Sequence, residues 1–248
     1  MNRVGSGNPA LSEKVFQRYA STYGGAEVMT VNGTMNKTFL MFLLLLASAA
    51  YVWDRFMTMG AGTGLMLTGF IGGFIVAMVT VFKVQWSPYT APLYAVFEGL
   101  ALGGLSAYFE AMYPGIVMKA VALTFGVFFM MLFLYRSRII RPTQRFTMGV
   151  VAATGGIALV YLVSWIAAMF GANVGFLYGN STFSIGLSLF IVVIAALNLV
   201  LDFAFIEQVS AQGAPKYMEW YAAFGLMVTL VWLYIEILRL LSKLASRE

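Results

Sequence analysis

Long apolar runs, separated by short polar segments, dominate the chain from residue 38 onward. Seven of these runs approach or exceed the roughly 20 residues that a helix needs to cross a bilayer. The first is the shortest and needs its flanking aromatic residues to complete a crossing. The predicted spans are Thr38–Trp53, Gly64–Phe82, Tyr89–Phe109, Pro114–Tyr135, Phe146–Phe170, Phe183–Phe205 and Met218–Leu241. The pattern predicts an all-α, polytopic integral membrane protein with seven transmembrane helices.

The polar residues before the first span form a segment of different character. Asn8 followed by Pro9 is typical of a helix start, and apolar residues then recur every four positions, which predicts a short amphipathic helix. No apolar run precedes Phe39, so we expect no cleaved signal peptide and a first span that directs the chain to the membrane. The predicted domains are a polar cytoplasmic tail, 1–37, and a transmembrane domain, 38–248.

The composition favours a surface that faces lipid. Hydrophobic residues make up 61% of the chain and charged residues only 10%, whereas a soluble domain carries about 25% charged residues. The net charge of +5 does not indicate nucleic-acid binding, because the basic residues lie in tails and loops beside the spans. We therefore expect the lipid bilayer as the partner of this surface and no nucleic acid.

The distribution of basic residues predicts the orientation in the membrane. With the N-terminus inside, ten basic residues fall on the inner side and five on the outer side, which favours a cytoplasmic N-terminus in the plasma membrane. If the last segment re-entered the membrane instead of crossing it, the distribution would become thirteen against two. The sequence leaves both arrangements of this segment open.

The residues needed for most catalytic mechanisms are missing. The chain contains no histidine and no cysteine, which removes the most common general base, thiol nucleophiles and histidine-rich zinc sites. No glycine-rich phosphate loop stands between a strand and a helix. We therefore expect neither an enzyme nor a resident cofactor.

Three carboxylates lie inside or at the edges of the predicted spans, namely Glu98, Asp202 and Glu236. A charged side chain at the bilayer centre costs about 2.5–3.5 kcal/mol on insertion scales, so such residues usually line a cavity or a proton relay. Two acids that share a site can share a proton and respond to pH, and deprotonated carboxylates are suitable ligands for Ca²⁺. The sequence predicts an ion pathway. In this pathway Asp202 and Glu236 bind the metal ion and open or close the path in response to pH, and Glu98 is a third ion-binding residue.

Each carboxylate also has a purely structural interpretation. Glu236 lies three residues before Arg239 and can form an ion pair with it on one helix face. Asp202 can reach the headgroup region from the end of its span. Glu98 can accept a hydrogen bond from a nearby hydroxyl group, such as that of Tyr94.

The same residues lie in motifs that resemble the transmembrane Bax inhibitor motif family, in its prokaryotic, Bax inhibitor-1-like branch. The segment Ala91–Gly103 (APLYAVFEGLALG) resembles the signature of the third span. Leu201–Phe203 (LDF) resembles the aspartate motif of the sixth span, and Leu233–Glu236 (LYIE) resembles the Leu-Tyr-x-acid motif of the seventh. The motifs occur in the family's order, and the similarity extends over roughly residues 38–244.

The resemblance implies six helices around a central seventh helix, and a Ca²⁺ leak gated by a hydrogen-bonded pair of carboxylates that senses pH. By position, Asp202 and Glu236 would form this pair. Lys83, near the inner end of the second span, would be the basic latch that pairs with the sixth-span acid. Ca²⁺ would be the permeant ion, and relatives suggest a membrane protein as a possible regulatory partner.

The chain departs from the family pattern in two features. The acid of the seventh span is Glu236, where the family usually has aspartate. Regular helices on both sides of a turn at Gly213 would also place Asp202 and Glu236 at levels that differ by roughly 18 Å. Direct contact would require a bend near Gly225 or an extended loop. Glu219, close to this turn, is expected to be solvated.

The sequence therefore predicts a pH-sensitive Ca²⁺ leak channel and leaves two other functions open. One is a non-conducting regulator that binds a membrane protease or stress partner through residues 1–37 and the inner loops. The other is a proton-coupled transporter that uses Glu98 as its proton carrier. Activity lost on removal of the tail with flux retained would favour the first alternative. Substrate-dependent flux that is lost in Glu98→Gln would favour the second.

Overall fold

The computed structural model describes residues 28–60, 62–171, 177 and 179–247. Over these ranges the chain forms seven long helices and one short 3-10 helix, so the all-α prediction is confirmed. The long helices are α1 Val31–Met59, α2 Thr63–Phe82, α3 Ser87–Met112, α4 Ile116–Arg136, α5 Gln144–Met169, α6 Thr182–Ala211 and α7 Met218–Ala245, and the 3-10 helix is Val84–Trp86. The short helix predicted after Asn8 lies outside the described residues.

Most helices extend beyond the predicted spans, because helical hydrogen bonding continues past the apolar residues into capped polar ends. Before α1, the Thr30 hydroxyl accepts a hydrogen bond from the amide of Gly33 (2.9 Å). The helix ends at Gly60, which has a left-handed φ of 63° and is a typical C-terminal cap. With 29 residues, α1 is about 43 Å long and crosses a bilayer without help from its flanks. Its first turns lie within the predicted polar tail.

Six of the seven helices of the described chain are long and apolar enough to cross a membrane. The exception is α3, which has 26 residues and is therefore about 39 Å long, but does not contain a stretch as apolar as those of the other six. Its polar side chains include the buried Ser87, Thr90 and Ser106. The helices identify a multi-pass membrane protein, as predicted.

The last helix is continuous, with 28 residues from Met218 to Ala245. Its length of about 42 Å suffices to cross the bilayer, whereas a re-entrant segment would need a break that α7 lacks. It is also well buried, as expected of a central helix: 56% of its most apolar stretch is buried, and α6 reaches 72%, against 11–17% for the other four candidate spans. Burial is therefore shared by the last two helices.

The chain divides into two compact units, which are described separately. Unit A comprises the described residues of 9–117 together with 205–228, and unit B those of 118–204 together with 229–248. The helices α6 and α7 each contribute residues to both units.

In unit A, α3 packs closely against α1 and α2, and glycines permit this approach. A Cβ atom on Gly69 of α2 would collide with the backbone of Ala101 of α3. One on Gly103 of α3 would collide with the backbone of Ala49 of α1. Small residues let helix backbones approach closely where lipid surrounds them, and these two glycines lie at such contacts. In contrast, Gly155 has no atom within 4 Å of an added Cβ.

The chain before α1 is attached to the turn between α6 and α7, also within unit A. The amide of Met29 donates to the carbonyl of Ala214 (2.7 Å), and the Ser210 hydroxyl donates to the carbonyl of Met29 (3.0 Å). Val28 forms an isolated antiparallel bridge with Pro215. This turn therefore has a hydrogen-bonded connection to the start of the first helix.

Unit B contains α5, all but the first two residues of α4, and the parts of α6 and α7 at residues 182–204 and 229–245. Ile157 of α5 packs with Ile191 and Ile194 of α6, and Trp232 of α7 lies against this cluster. The ring of Phe203 on α6 makes an edge contact with Phe128 of α4 (5.7 Å between centroids). These contacts hold α5, α6 and α7 together around the residues described next.

Candidate functional site

Asp202 is completely buried on α6. The hydroxyl of Thr229 on α7 donates to its Oδ2 (2.6 Å). This contact follows from the hairpin geometry, because Asp202 and Thr229 lie at similar distances from the two ends of the turn 212–217 that joins α6 to α7. Burial excludes the alternative in which Asp202 reaches the headgroups from the surface of the protein.

Glu236 is also buried, with 2% of its surface exposed. The hydroxyl of Tyr161 on α5 donates to its Oε1 (2.8 Å). Arg239, one turn later on α7, donates from Nη1 to Oε1 (3.2 Å) and to the Tyr161 hydroxyl (2.6 Å). The ion pair with Arg239 that the spacing suggested is present, and Tyr161 completes a three-residue network.

Asp202 and Glu236 lie at different levels of the α6–α7 pair. Thr229, which contacts Asp202, precedes Glu236 by seven residues, or two helical turns, so the two levels differ by about 10 Å. In the described part of the chain, the bonds of Glu236 go to Tyr161 and Arg239. The structure thus contains two separate carboxylate sites in place of the expected hydrogen-bonded pair. No break at Gly225 interrupts α7.

A third polar site lies two further turns along α7, at Lys243, and was not anticipated from the sequence. Lys243 is 5% exposed, and its ammonium group donates to the hydroxyls of Ser184 (2.8 Å) and Ser188 (2.7 Å) on α6. It also donates to the carbonyl of Leu177 (2.6 Å). The sequence feature that could have indicated this site is the spacing of Ser184 and Ser188, which places both hydroxyls on one face of the apolar first half of α6.

The remaining predicted site residues belong to unit A. Glu98 is half-buried on α3, where the hydroxyl of Tyr94, one turn earlier, interacts with its carboxyl group. Its Oε2 lies beside Gly73 of α2, 3.3 Å from the position of an added Cβ. Lys83 is exposed at the C-terminal cap of α2. Its ammonium group takes part in none of the ion pairs found among the described residues.

Glu219 differs from the expectation of a solvated side chain, because it is completely buried. The amide and hydroxyl of Thr30 donate to its Oε1 (2.9 and 3.0 Å). Lys37 on α1 pairs with its Oε2, and Lys216 lies 3.3 Å from Oε1. The prediction was wrong because a turn between two spans can be covered by the segment that precedes the first span.

No group of three Asp, Glu, His or Cys side chains comes together as a metal site within the described ranges. Asp202 and Glu236 are two turns apart, and each carboxylate has its own hydroxyl neighbour, Thr229 for Asp202 and Tyr161 for Glu236.

Comparison with known proteins gives one match. The model of the family described as Bax inhibitor 1 like matches residues 8–246. This range includes all seven helices and the sites around Asp202, Glu236 and Lys243. No curated protein matches the chain significantly.

Proposed function

This chain belongs to the Bax inhibitor 1 like family, and from that premise we propose that it is a pH-sensitive leak protein for cations, with Ca²⁺ as the expected ion. The observation that carries the proposal is the burial of two carboxylates inside the helices, Asp202 on α6 beside Thr229 of α7 and Glu236 on α7 beside Tyr161 of α5. Acids inside membrane helices are costly and usually mark ion or proton pathways.

The gate differs from a proton shared between two acids. Arg239 and Tyr161 hold the Glu236 carboxylate, so a cation can bind there only after Arg239 has moved away. A proton on Glu236 removes the charge that attracts both Arg239 and a cation. Protons, Arg239 and the permeant ion therefore compete for one carboxylate, and this competition makes flux depend on pH.

Proteoliposomes that contain a Ca²⁺-sensitive dye test the two carboxylates. Glu236→Gln should abolish the pH dependence of flux, because the amide cannot titrate and attracts neither Arg239 nor a cation strongly. Asp202→Asn should reduce flux by tenfold or more, because a Ca²⁺ ion that has lost its water then also lacks the charge of the Asp202 carboxylate. A loss of about 1.4 kcal/mol of stabilisation corresponds to a factor of ten. The measurement is initial flux against pH for each variant.

Asp54→Asn is the matched control, since Asp54 is an exposed carboxylate on α1 and should leave the curve unchanged. Wild-type flux–pH curves in both Asp202→Asn and Glu236→Gln would contradict the proposed gate. Liposomes without any protein-dependent Ca²⁺ flux would contradict conduction itself and favour a non-conducting regulator.

We place the protein in the plasma membrane with its N-terminus in the cytoplasm. The support for this orientation is the excess of basic residues in the segments that would then be internal. The docking of residues 28–30 onto the α6–α7 turn puts both segments on the same side of the membrane, which agrees with an even number of crossings between them.

A further inference from the structure

Lys243 is a buried cation in an environment of neutral oxygen atoms. Its Nζ lies 2.6–2.8 Å from the Leu177 carbonyl and from the hydroxyls of Ser184 and Ser188, and 3.4 Å from the Ser184 carbonyl. All three neighbouring residues are themselves buried, with at most 3% exposed surface. We call these four oxygen atoms the oxygen cage.

The oxygen cage offers more acceptors than the ammonium group requires, because Lys has three N–H donors. Buried lysines are normally paired with a carboxylate, yet Lys243 takes part in none of the ion pairs found among the described residues. Its charge is balanced by oxygen dipoles, which is how carbonyl-lined sites replace the hydration shell of a metal ion. An ammonium ion and K⁺ have similar radii, so the cage has dimensions suitable for K⁺.

The position of the oxygen cage adds to this argument. Thr229, Glu236 and Lys243 are spaced by seven residues and therefore lie on one face of α7, about 10 Å apart. Each faces a polar group of a neighbouring helix, and the oxygen cage is the third level of this polar face. The fixed positive charge of Lys243 repels other cations from this end of the polar face of α7.

We propose that the oxygen cage is a binding site for a monovalent cation of the size of K⁺, and that the Lys243 side chain occupies it as a tethered ion. The inference goes beyond the proposed leak function and does not depend on it, since binding can be measured without flux. If the protein conducts, the tethered ion also limits the passage of free cations.

A simpler interpretation is that Lys243 only satisfies the C-terminal end of α7. It lies in the last turn of that helix, where a positive charge is favourable. Under this interpretation, removal of the side chain leaves a cavity with no preference for any cation. The two interpretations thus differ in the effect of cations on a variant that lacks the ammonium group.

The experiment compares thermal unfolding of detergent-solubilised protein in KCl and in N-methylglucamine chloride of equal ionic strength. In Lys243→Ala, K⁺ should raise the midpoint by about 5–10 °C at a concentration about 100 times its dissociation constant, and the midpoint should rise with the logarithm of the K⁺ concentration. The wild type should not respond, because its own ammonium group fills the site. Lys243→Ala/Ser188→Ala should lose most of the response, since one cage oxygen is missing.

Lys119→Ala is the control, because Lys119 is an exposed lysine on α4 and its removal should create no response to K⁺. A Lys243→Ala protein that is folded only when it is extracted and kept in KCl would also support the site. If this variant is folded and indifferent to K⁺, or is unfolded in both salts, the proposal is overturned. None of these outcomes depends on Ca²⁺ flux, so they test the cage separately from the leak function.

Discussion

The hydroxyl of Tyr161 links the two charged members of the Glu236 site. It donates to the carboxylate and accepts from Arg239, and the guanidinium also lies over its ring (5.2 Å to the centroid). Hydrogen bonds to a charged group are stronger than those between neutral groups, and a buried charge that loses a partner retains its desolvation cost. A tyrosine in the middle of an apolar helix therefore determines how firmly Arg239 is held.

Removal of this hydroxyl tests the network directly. We expect Tyr161→Phe to lower the free energy of unfolding by about 1–3 kcal/mol, because Glu236 loses one of its donors while staying buried. The flux–pH curve should shift, since Arg239 is held less firmly. Tyr89→Phe, at a tyrosine that is 81% exposed, should change stability by no more than about 0.5 kcal/mol. Equal unfolding curves for both variants would contradict the role of Tyr161.

At the scale of helices, small residues decide which pairs approach closely. The glycines at the contacts of α3 with α1 and α2 leave no space for a side chain, whereas those of α5 face open space. Both groups look alike in the sequence, where each is a glycine within an apolar run. Glycine is therefore required for close packing at Gly69 and Gly103 but not at Gly155 and Gly156, since only a neighbouring backbone creates the requirement.

This difference predicts opposite effects of one substitution. Gly103→Ala should destabilise the protein by about 1–3 kcal/mol, because the new methyl group collides with the backbone of Ala49, which cannot move without disturbing α1. Gly156→Ala should be neutral or stabilising by up to about 1 kcal/mol, because alanine favours the helix and no atom lies within 4 Å. Thermal or denaturant unfolding in detergent measures both, and similar losses in the two variants would contradict the close approach of α1 and α3.

For the whole molecule, the main long-range connection in the sequence is the one between the start of the first helix and the start of the last helix. Glu219 joins the start of α7 to Thr30 and to Lys37 on α1. The first helix and the α6–α7 turn are thereby fixed to each other within unit A. From this connection α7 continues without a break to Glu236 and Lys243.

The number of crossings can be measured with single cysteines, because the chain has none of its own. We expect Ser6→Cys and Ser246→Cys to react with a membrane-impermeant maleimide from opposite sides of the membrane, since seven crossings place the two termini on different sides. Labelling of Ser246→Cys should occur in intact cells, and that of Ser6→Cys only after permeabilisation. Reaction of both from the same side would contradict the crossing of α7 or of α3.

The sequence by itself determined the helical class and the approximate spans, because apolar runs of this length have few other solutions in a bilayer. It also offered the ion pair of Glu236 with Arg239 as one interpretation, since both residues lie on one turn, but it left open whether Asp202 is buried. The tertiary structure decided the partners from other helices: Thr229 for Asp202, Tyr161 for Glu236 and the serines for Lys243. Those partners depend on the relative level of neighbouring helices, and this level is set by turn geometry and side-chain packing that no local pattern encodes.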